Sequence, residues 1–239
     1  MGNLQGTLNR INKRTNMKDL NEKSEPTVAI CANCKKEFTE GYFDYCSPTC
    51  RNELAKKRWI YDSIEKTVPS KFKAVKTGRE IILNKGLFCY GTVGTGKTQY
   101  IAEVVREYIK QIANKEEDFA DGRFSPKPPV WLSCPVFIMQ AQSMYRDKNQ
   151  DPFGYIIDIA KRANILVLDD IGMEKMSDWV RQVLYMLINE RYQRESITLI
   201  TSNRNLKEID ELIHPGIASR IAGMCEVIHF SGKDFRVSK

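Results

Sequence analysis

The stretch Gly91-Thr92-Val93-Gly94-Thr95-Gly96-Lys97-Thr98 constrains this chain more than any other. It fits G-x-x-x-x-G-K-[ST], a loop that wraps backbone N–H groups around the phosphates of a nucleotide. Its three glycines let the chain turn tightly and approach phosphate oxygens with no Cβ in the way. Lys97 can reach the β- and γ-phosphates, and the Thr98 hydroxyl can ligate Mg²⁺. The flanks suit such a loop. Gly86 to Tyr90 reads as a short buried strand. Gln99 to Ala113 reads as a helix with Ile101, Val104, Val105, Tyr108, Ile109 and Ile112 on one face. A helix N-terminus also attracts anions through its dipole. Gly91 through Gln99 are therefore the candidate residues for binding a nucleoside triphosphate.

Ile165-Leu166-Val167-Leu168-Asp169-Asp170 is an apolar run ending in two carboxylates, the Walker B pattern. A run of this kind is buried on both faces, which predicts a central parallel strand beside the loop strand. Its carboxylates then emerge at the carboxyl end of the sheet, where open α/β sheets bind ligands. Asp169 is the candidate Mg²⁺ partner, and Asp170 the candidate for orienting or activating an attacking water. Ile197 to Asn203 reads as a third buried strand with a polar end. Asn203 either contacts the γ-phosphate or the attacking water, or caps the following helix.

Four of the seven cysteines are clustered: Cys31-x2-Cys34 and, eleven residues on, Cys46-x3-Cys50. Two thiolate pairs can close a tetrahedron around zinc. Between the pairs, Phe38, Gly41, Tyr42, Phe43 and Tyr45 predict a small hairpin with a turn at Glu40-Gly41. Ser47-Pro48 then reads as an N-cap and first helical residue, with Cys50 in the first turn of a helix running to about Lys66. One pair on a knuckle and one at a helix start resembles a treble-clef zinc knuckle. Cys89, Cys134 and Cys225 lie in apolar surroundings and read as core residues.

Residues 1–26 are polar and poor in apolar side chains, as a flexible arm would be. The zinc module and its linker helix take residues 27–70, and the nucleotide-binding domain takes 71–239. Residues 1–80 carry 16 Lys and Arg against 10 Asp and Glu, so most of the net charge of +7 lies in that third. Nucleic acid or an acidic protein surface would complement it. No apolar run approaches membrane-spanning length and no signal-peptide h-region opens the chain, so a cytoplasmic protein without membrane contact is expected. Helices are further expected over Val136 to Tyr145, Phe153 to Ala163 and Asp178 to Arg194. Short strands are expected over Val130 to Cys134 and Cys225 to Phe230.

Taken together, GTVGTGKT, ILVLDDIG, the segment from Ser177 to Tyr192, TSN, Ile217 to Ile221 and Gly232 to Arg236 resemble the DnaC/DnaI-like AAA+ ATPases, the replicative helicase loaders. The resemblance covers roughly residues 76–239. It implies an α/β fold: a three-layer αβα P-loop AAA+ core with a parallel sheet, preceded by the treble-clef-like zinc module. Only 19 residues follow Arg220, so no C-terminal lid is expected. The resemblance makes ATP the nucleotide and Asn203 a sensor of its γ-phosphate. It makes Arg220 an arginine finger reaching a neighbouring subunit, so the ATPase domain would self-associate and hydrolysis would be weak without assembly, DNA or a partner. Arg236 is left as a partial substitute for the sensing arginine of the missing lid.

The function implied is ATP-dependent loading of a hexameric replicative DNA helicase onto single-stranded DNA. The arm and zinc module would hold the helicase. Phe137, Tyr145, Arg146 and Lys148 would supply aromatic and basic contacts to the strand. Two other readings share these motifs: an IstB-like transposition helper ATPase that binds duplex DNA and a transposase, and a helicase adaptor whose ATPase is a weak switch.

Overall fold

The computed structural model describes residues 28–39, 44–73, 82–115, 126–147, 150–173 and 175–237. The turn expected at Glu40-Gly41, the arm and Lys148 lie outside these residues. Two compact units divide between Arg51 and Asn52.

In the first unit, strands β1 (Ala29–Ile30) and β2 (Glu37–Phe38) pair antiparallel. They bracket the first cysteine pair. The connection turns back because Lys35 takes a left-handed conformation (φ 61°), its N–H donating to the Cys31 carbonyl at 3.0 Å. The Ala32 N–H donates to the Asp44 carbonyl at 2.8 Å, drawing the second pair towards the first. Helix α1 (Pro48–Thr67) opens as its sequence predicts, with the Ser47 hydroxyl accepting the Cys50 N–H at 3.2 Å. The unit boundary falls inside this helix.

The second unit is built on five parallel strands: β3 (Gly86–Gly91), β4 (Val130–Ser133), β5 (Leu166–Ile171), β6 (Thr198–Ser202) and β7 (Cys225–Phe230). Their spatial order is β4-β5-β6-β3-β7, every neighbouring pair parallel. Period-two alternation divides their side chains between two cores. Leu87, Cys89, Val167 and Leu199 meet α2 (Lys97–Lys115) through Ile101, Val104, Val105 and Ile109. The later part of α1 joins this face through Trp59, Ile60 and Ile64. Phe88, Leu166, Leu168 and Ile200 face α3 (Cys134–Arg146), α4 (Pro152–Arg162), α5 (Asp178–Gln193), α6 (Leu206–Leu212) and α7 (Pro215–Met224). The expected three-layer αβα arrangement is therefore present.

One expectation is corrected. The acidic strand β5 does not lie beside the loop strand β3, because β6 is inserted between them. An apolar run establishes burial on both faces but carries no information on which buried strand is its neighbour. The insertion has a consequence at the carboxyl end of the sheet. It sets the polar end of β6, with Thr201 and Asn203, between Lys97 and Asp169.

Candidate nucleotide and metal sites

The phosphate loop leaves β3 through Gly91 at φ 142°. A Cβ there would lie 1.9 Å from the Phe230 carbonyl oxygen, so only glycine lets β7 pack this closely. Gly94 and Gly96 follow at φ 78° and 93°, and Thr95 braces the turn by donating to the Thr92 carbonyl at 2.8 Å. The loop ends as α2 begins at Lys97, so the first N–H groups of that helix face the loop's interior.

Lys97 is buried and its ammonium has three acceptors: the carbonyls of Gly91 (2.9 Å) and Thr92 (2.8 Å) and the Asn203 Oδ1 (2.8 Å). Burial lowers its pKa; the Asp170 charge opposes that, and the Arg236 charge adds to it. Asp169 Oδ1 accepts from two hydroxyls, Thr201 at 2.7 Å and Thr98 at 3.0 Å. Its carboxyl is raised by burial, with the Thr201 and Thr98 hydrogen bonds acting against this. Asp170 takes a left-handed conformation (φ 62°) and its N–H donates to the Thr201 hydroxyl at 2.8 Å. Thr201 thus locks both carboxylate residues. It went unremarked as a site residue in the sequence, although it stands in the same TSN segment as Asn203.

Lys97, Thr98, Asp170 and Asn203 line a cavity of about 630 Å³, and Asp169 lines an adjoining one. The loop contributes Val93, Gly94, Gly96, Lys97, Thr98 and Gln99; Asp170 and Asn203 face them across it. Two further walls complete it, the first without a recognised motif and the second within the Gly232 to Arg236 segment, whose Arg236 was the candidate partial sensor. One is a 3-10 turn, Ser70–Phe72, that brings Lys71 and Phe72. The other is the segment after β7, which brings Phe235 and Arg236. That segment is fastened to the loop: the Phe235 N–H donates to the Gly94 carbonyl at 3.1 Å, and Asp234 packs on Gly94 where a Cβ would be. A cavity of this size, with backbone donors, a lysine and a hydroxyl–carboxylate pair, has the donor set for a nucleotide and one hard cation. Thr98 and Asp169 are the residues that would hold Mg²⁺.

Arg220 stands elsewhere. It lies on α7 and donates to Asn189 Oδ1 (2.8 Å), the Gly216 carbonyl (2.8 Å) and the Tyr185 hydroxyl (3.0 Å), with its guanidinium over the Tyr185 ring. It does not line its own subunit's cavity. Of the residues expected to meet DNA, Phe137 is buried in the core, whereas Tyr145 is 59% exposed and Arg146 is exposed.

In the first unit the sulfurs of Cys31, Cys34, Cys46 and Cys50 lie within 4.8 Å of one another. A tetrahedral zinc with Zn–S bonds of about 2.3 Å needs sulfurs about 3.8 Å apart. The Cys46–Cys50 pair at 3.4 Å and the Cys34–Cys46 pair at 3.6 Å need only a small adjustment to meet it. Hydrogen bonding, the Cys46 N–H foremost, lowers Cys31 to about 6, whereas thiol hydrogen bonding, Cys50 foremost, pushes Cys46 up to about 12. A divalent cation would reverse that second effect by favouring every thiolate. The four residues fit zinc in number, type and spacing.

The sequence profile of the IstB-like ATP binding protein family matches residues 137–239. The chain is also 27% identical over 136 residues to the replicative helicase loader DnaI of Bacillus subtilis (strain 168), covering 56% of this chain. The match spans 38% of that loader's own length. Two crystal structures are similar at a TM-score of 0.48. That of DnaI is 21% identical and covers 75% of this chain and 85% of its own. That of the DnaC helicase loader is 20% identical and covers 75% and 90%. The resemblance read from the motifs is upheld, and the family match supports an ATP-binding domain in the second unit. No helix among the described residues is long and apolar enough to cross a membrane.

Proposed function

We propose that this chain, a DnaC/DnaI-like P-loop ATPase, loads a hexameric replicative helicase onto single-stranded DNA and is driven by ATP. The observation that carries the reading is the sequence match to a helicase loader, in a chain whose phosphate loop, Asp170 and Asn203 line one cavity. Residues 1–26 act as an arm, residues 27–70 hold the helicase through a zinc-bearing module, and residues 71–239 form the ATPase domain. The exposed apolar side chains Val28, just before β1, and Ile30, on it, offer that module a contact surface.

The geometry supports the following roles. Lys97 exchanges its three internal acceptors for the β- and γ-phosphate oxygens, which frees Asn203 to hydrogen-bond the γ-phosphate. Mg²⁺, held by Thr98 and Asp169, would offset charge on the phosphates. Asp170 accepts a hydrogen bond from the attacking water and so aligns it with the γ-phosphorus. Arg220 reaches the site of the next subunit in an assembly, where its guanidinium offsets charge on the transferring phosphoryl group. The α5 residues that hold Arg220 in the lone chain keep it ordered until then. Hydrolysis is therefore slow until subunits assemble, and the same assembly grips the DNA strand.

The test is transfer of a helicase hexamer onto circular single-stranded DNA, read as unwinding of an annealed oligonucleotide. Wild-type protein with ATP should give transfer, and Lys97→Ala should give none. Equal transfer by both would reject the ATP-driven reading, and no transfer by either would reject the loader.

A further inference from the structure

The 3-10 turn Ser70–Phe72 precedes the ATPase motifs in the chain, yet three tethers fix its place at the nucleotide cavity. Just before it, the Thr67 hydroxyl donates to the Pro129 carbonyl at 3.1 Å, at the start of β4. Just after it, Lys73 pairs with Glu65 at 2.6 Å. The third tether comes from the phosphate-loop helix itself. Arg106 on α2 is only 8% exposed and directs its guanidinium at the Phe72 carbonyl (3.4 Å), while its Nε has no partner. A charged group held this far inside has a structural reason to be there, and the group it meets is the turn.

The turn carries one cation into the site. Lys71 is exposed, has no anionic partner among the described residues, and holds its ammonium 4.7 Å from the centre of the Phe72 ring. It lines the 630 Å³ nucleotide cavity. It also lines a neighbouring cavity of about 490 Å³ that reaches Asp169 and Asp170 from the β4 side. Lys71, Phe72 and Asp170 are the residues common to both. Lys71 therefore stands at the carboxylate end of the nucleotide site.

Even with Mg²⁺, a triphosphate brings excess negative charge into a site that already contains Asp169 and Asp170; Lys97 and Arg236 answer it from the loop side, and Lys71 is the cation on the carboxylate side. We propose that Lys71 is a second phosphate-binding cation, acting within its own subunit, that contacts the terminal phosphate and so selects ATP over ADP. This rests on the nucleotide-binding reading above. Phe72 holds the Lys71 ammonium by the cation–π contact, and Arg106 positions the Phe72 backbone. A charge-assisted hydrogen bond to a phosphate oxygen corresponds to roughly tenfold in affinity.

The experiment is calorimetric binding of a non-hydrolysable ATP analogue and of ADP, each with Mg²⁺, to the full chain and to Lys71→Met and Lys71→Arg. Melting curves establish that each variant is folded. Lys71→Met should bind the ATP analogue about tenfold more weakly, with ADP affinity within about twofold of wild type and a shallower salt dependence for the analogue alone. Lys71→Arg should restore selectivity. Equal loss for both nucleotides, or no loss for either, overturns the proposal while leaving the nucleotide site standing. If wild-type protein binds neither nucleotide, the nucleotide-binding reading itself fails and this proposal with it.

Discussion

Asp169 shows how a single residue trades stability for chemistry. Its carboxyl is raised in the folded chain, foremost by burial. Between the unfolded value of about 3.9 and the raised value, the folded state binds more protons than the unfolded one. Stability without ligand is therefore least affected below the unfolded value, declines as pH rises through that window, and stays reduced above it. Mg²⁺ offsets the loss because it binds the ionised form. We expect Asp169→Asn to stabilise the nucleotide-free protein at pH 7 by roughly 1 kcal/mol and to flatten its acid-side stability profile. Hydrolysis should be abolished. Urea melts at several pH values check the first part, and a less stable variant would contradict it. Gly94 is the second residue-scale case. Its φ of 78° and the Asp234 side chain packed on it leave no room for a methyl group. Gly94→Ala should displace the Asp234–Arg236 segment and weaken nucleotide binding by at least about tenfold, while the melting temperature changes little. Retained affinity would show that the segment is not part of the site.

Among the elements, α5 is joined to its neighbours by a fully buried arginine. Arg191 donates to the Thr198 hydroxyl and to the carbonyls of Ala160, Ala163, Asn164 and Ile197, linking the end of α4 to the starts of β5 and β6. Burial lowers it to about 10, so it remains charged at neutral pH, and the carbonyl end of α4 offsets that charge. Replacing Arg191 with Met orphans several buried carbonyls at once. A loss of roughly 3–5 kcal/mol is expected by urea denaturation, with no recovery by Lys, whose single ammonium cannot span the same acceptors. A loss below about 1 kcal/mol would refute this reading of the buried charge. Nothing in the sequence marked Arg191 as buried, because a charged residue at a helix end reads as solvated. The apolar runs of β3, β5 and β6 were legible, since burial on both faces leaves an unbroken hydrophobic stretch. Helices α6 and α7 were not assigned, although α6 had a signal: Asn205 and Glu208 form a reciprocal capping box. Lys71 and Phe72 were beyond reach, because tertiary tethers place them at the cavity and no motif does. The loop, the acidic pair and the cysteine cluster were legible because their chemistry fixes both residue type and spacing.

On the scale of the molecule, the two units divide at Arg51 and draw on different sources of stability. The second has two hydrophobic cores flanking a five-stranded sheet. In the first, the described strands are two residues each and Cys31 is the one buried apolar side chain among its described residues. A unit this small needs a metal or similar tie to stay folded. Chelation should therefore release one zinc per chain and abolish helicase binding, while ATP affinity stays within about twofold. Loss of both together would show that the units do not fold independently. The central claim, a loader that grips its helicase through the first unit and cycles on ATP in the second, meets its most direct test in native mass measurement. The full chain would be mixed with a replicative helicase hexamer, with ATP and without nucleotide, alongside a chain lacking residues 1–51, the first unit. The account predicts a defined complex for the full chain whose stoichiometry changes with ATP, and none for the shortened chain. No complex in either nucleotide state would contradict it.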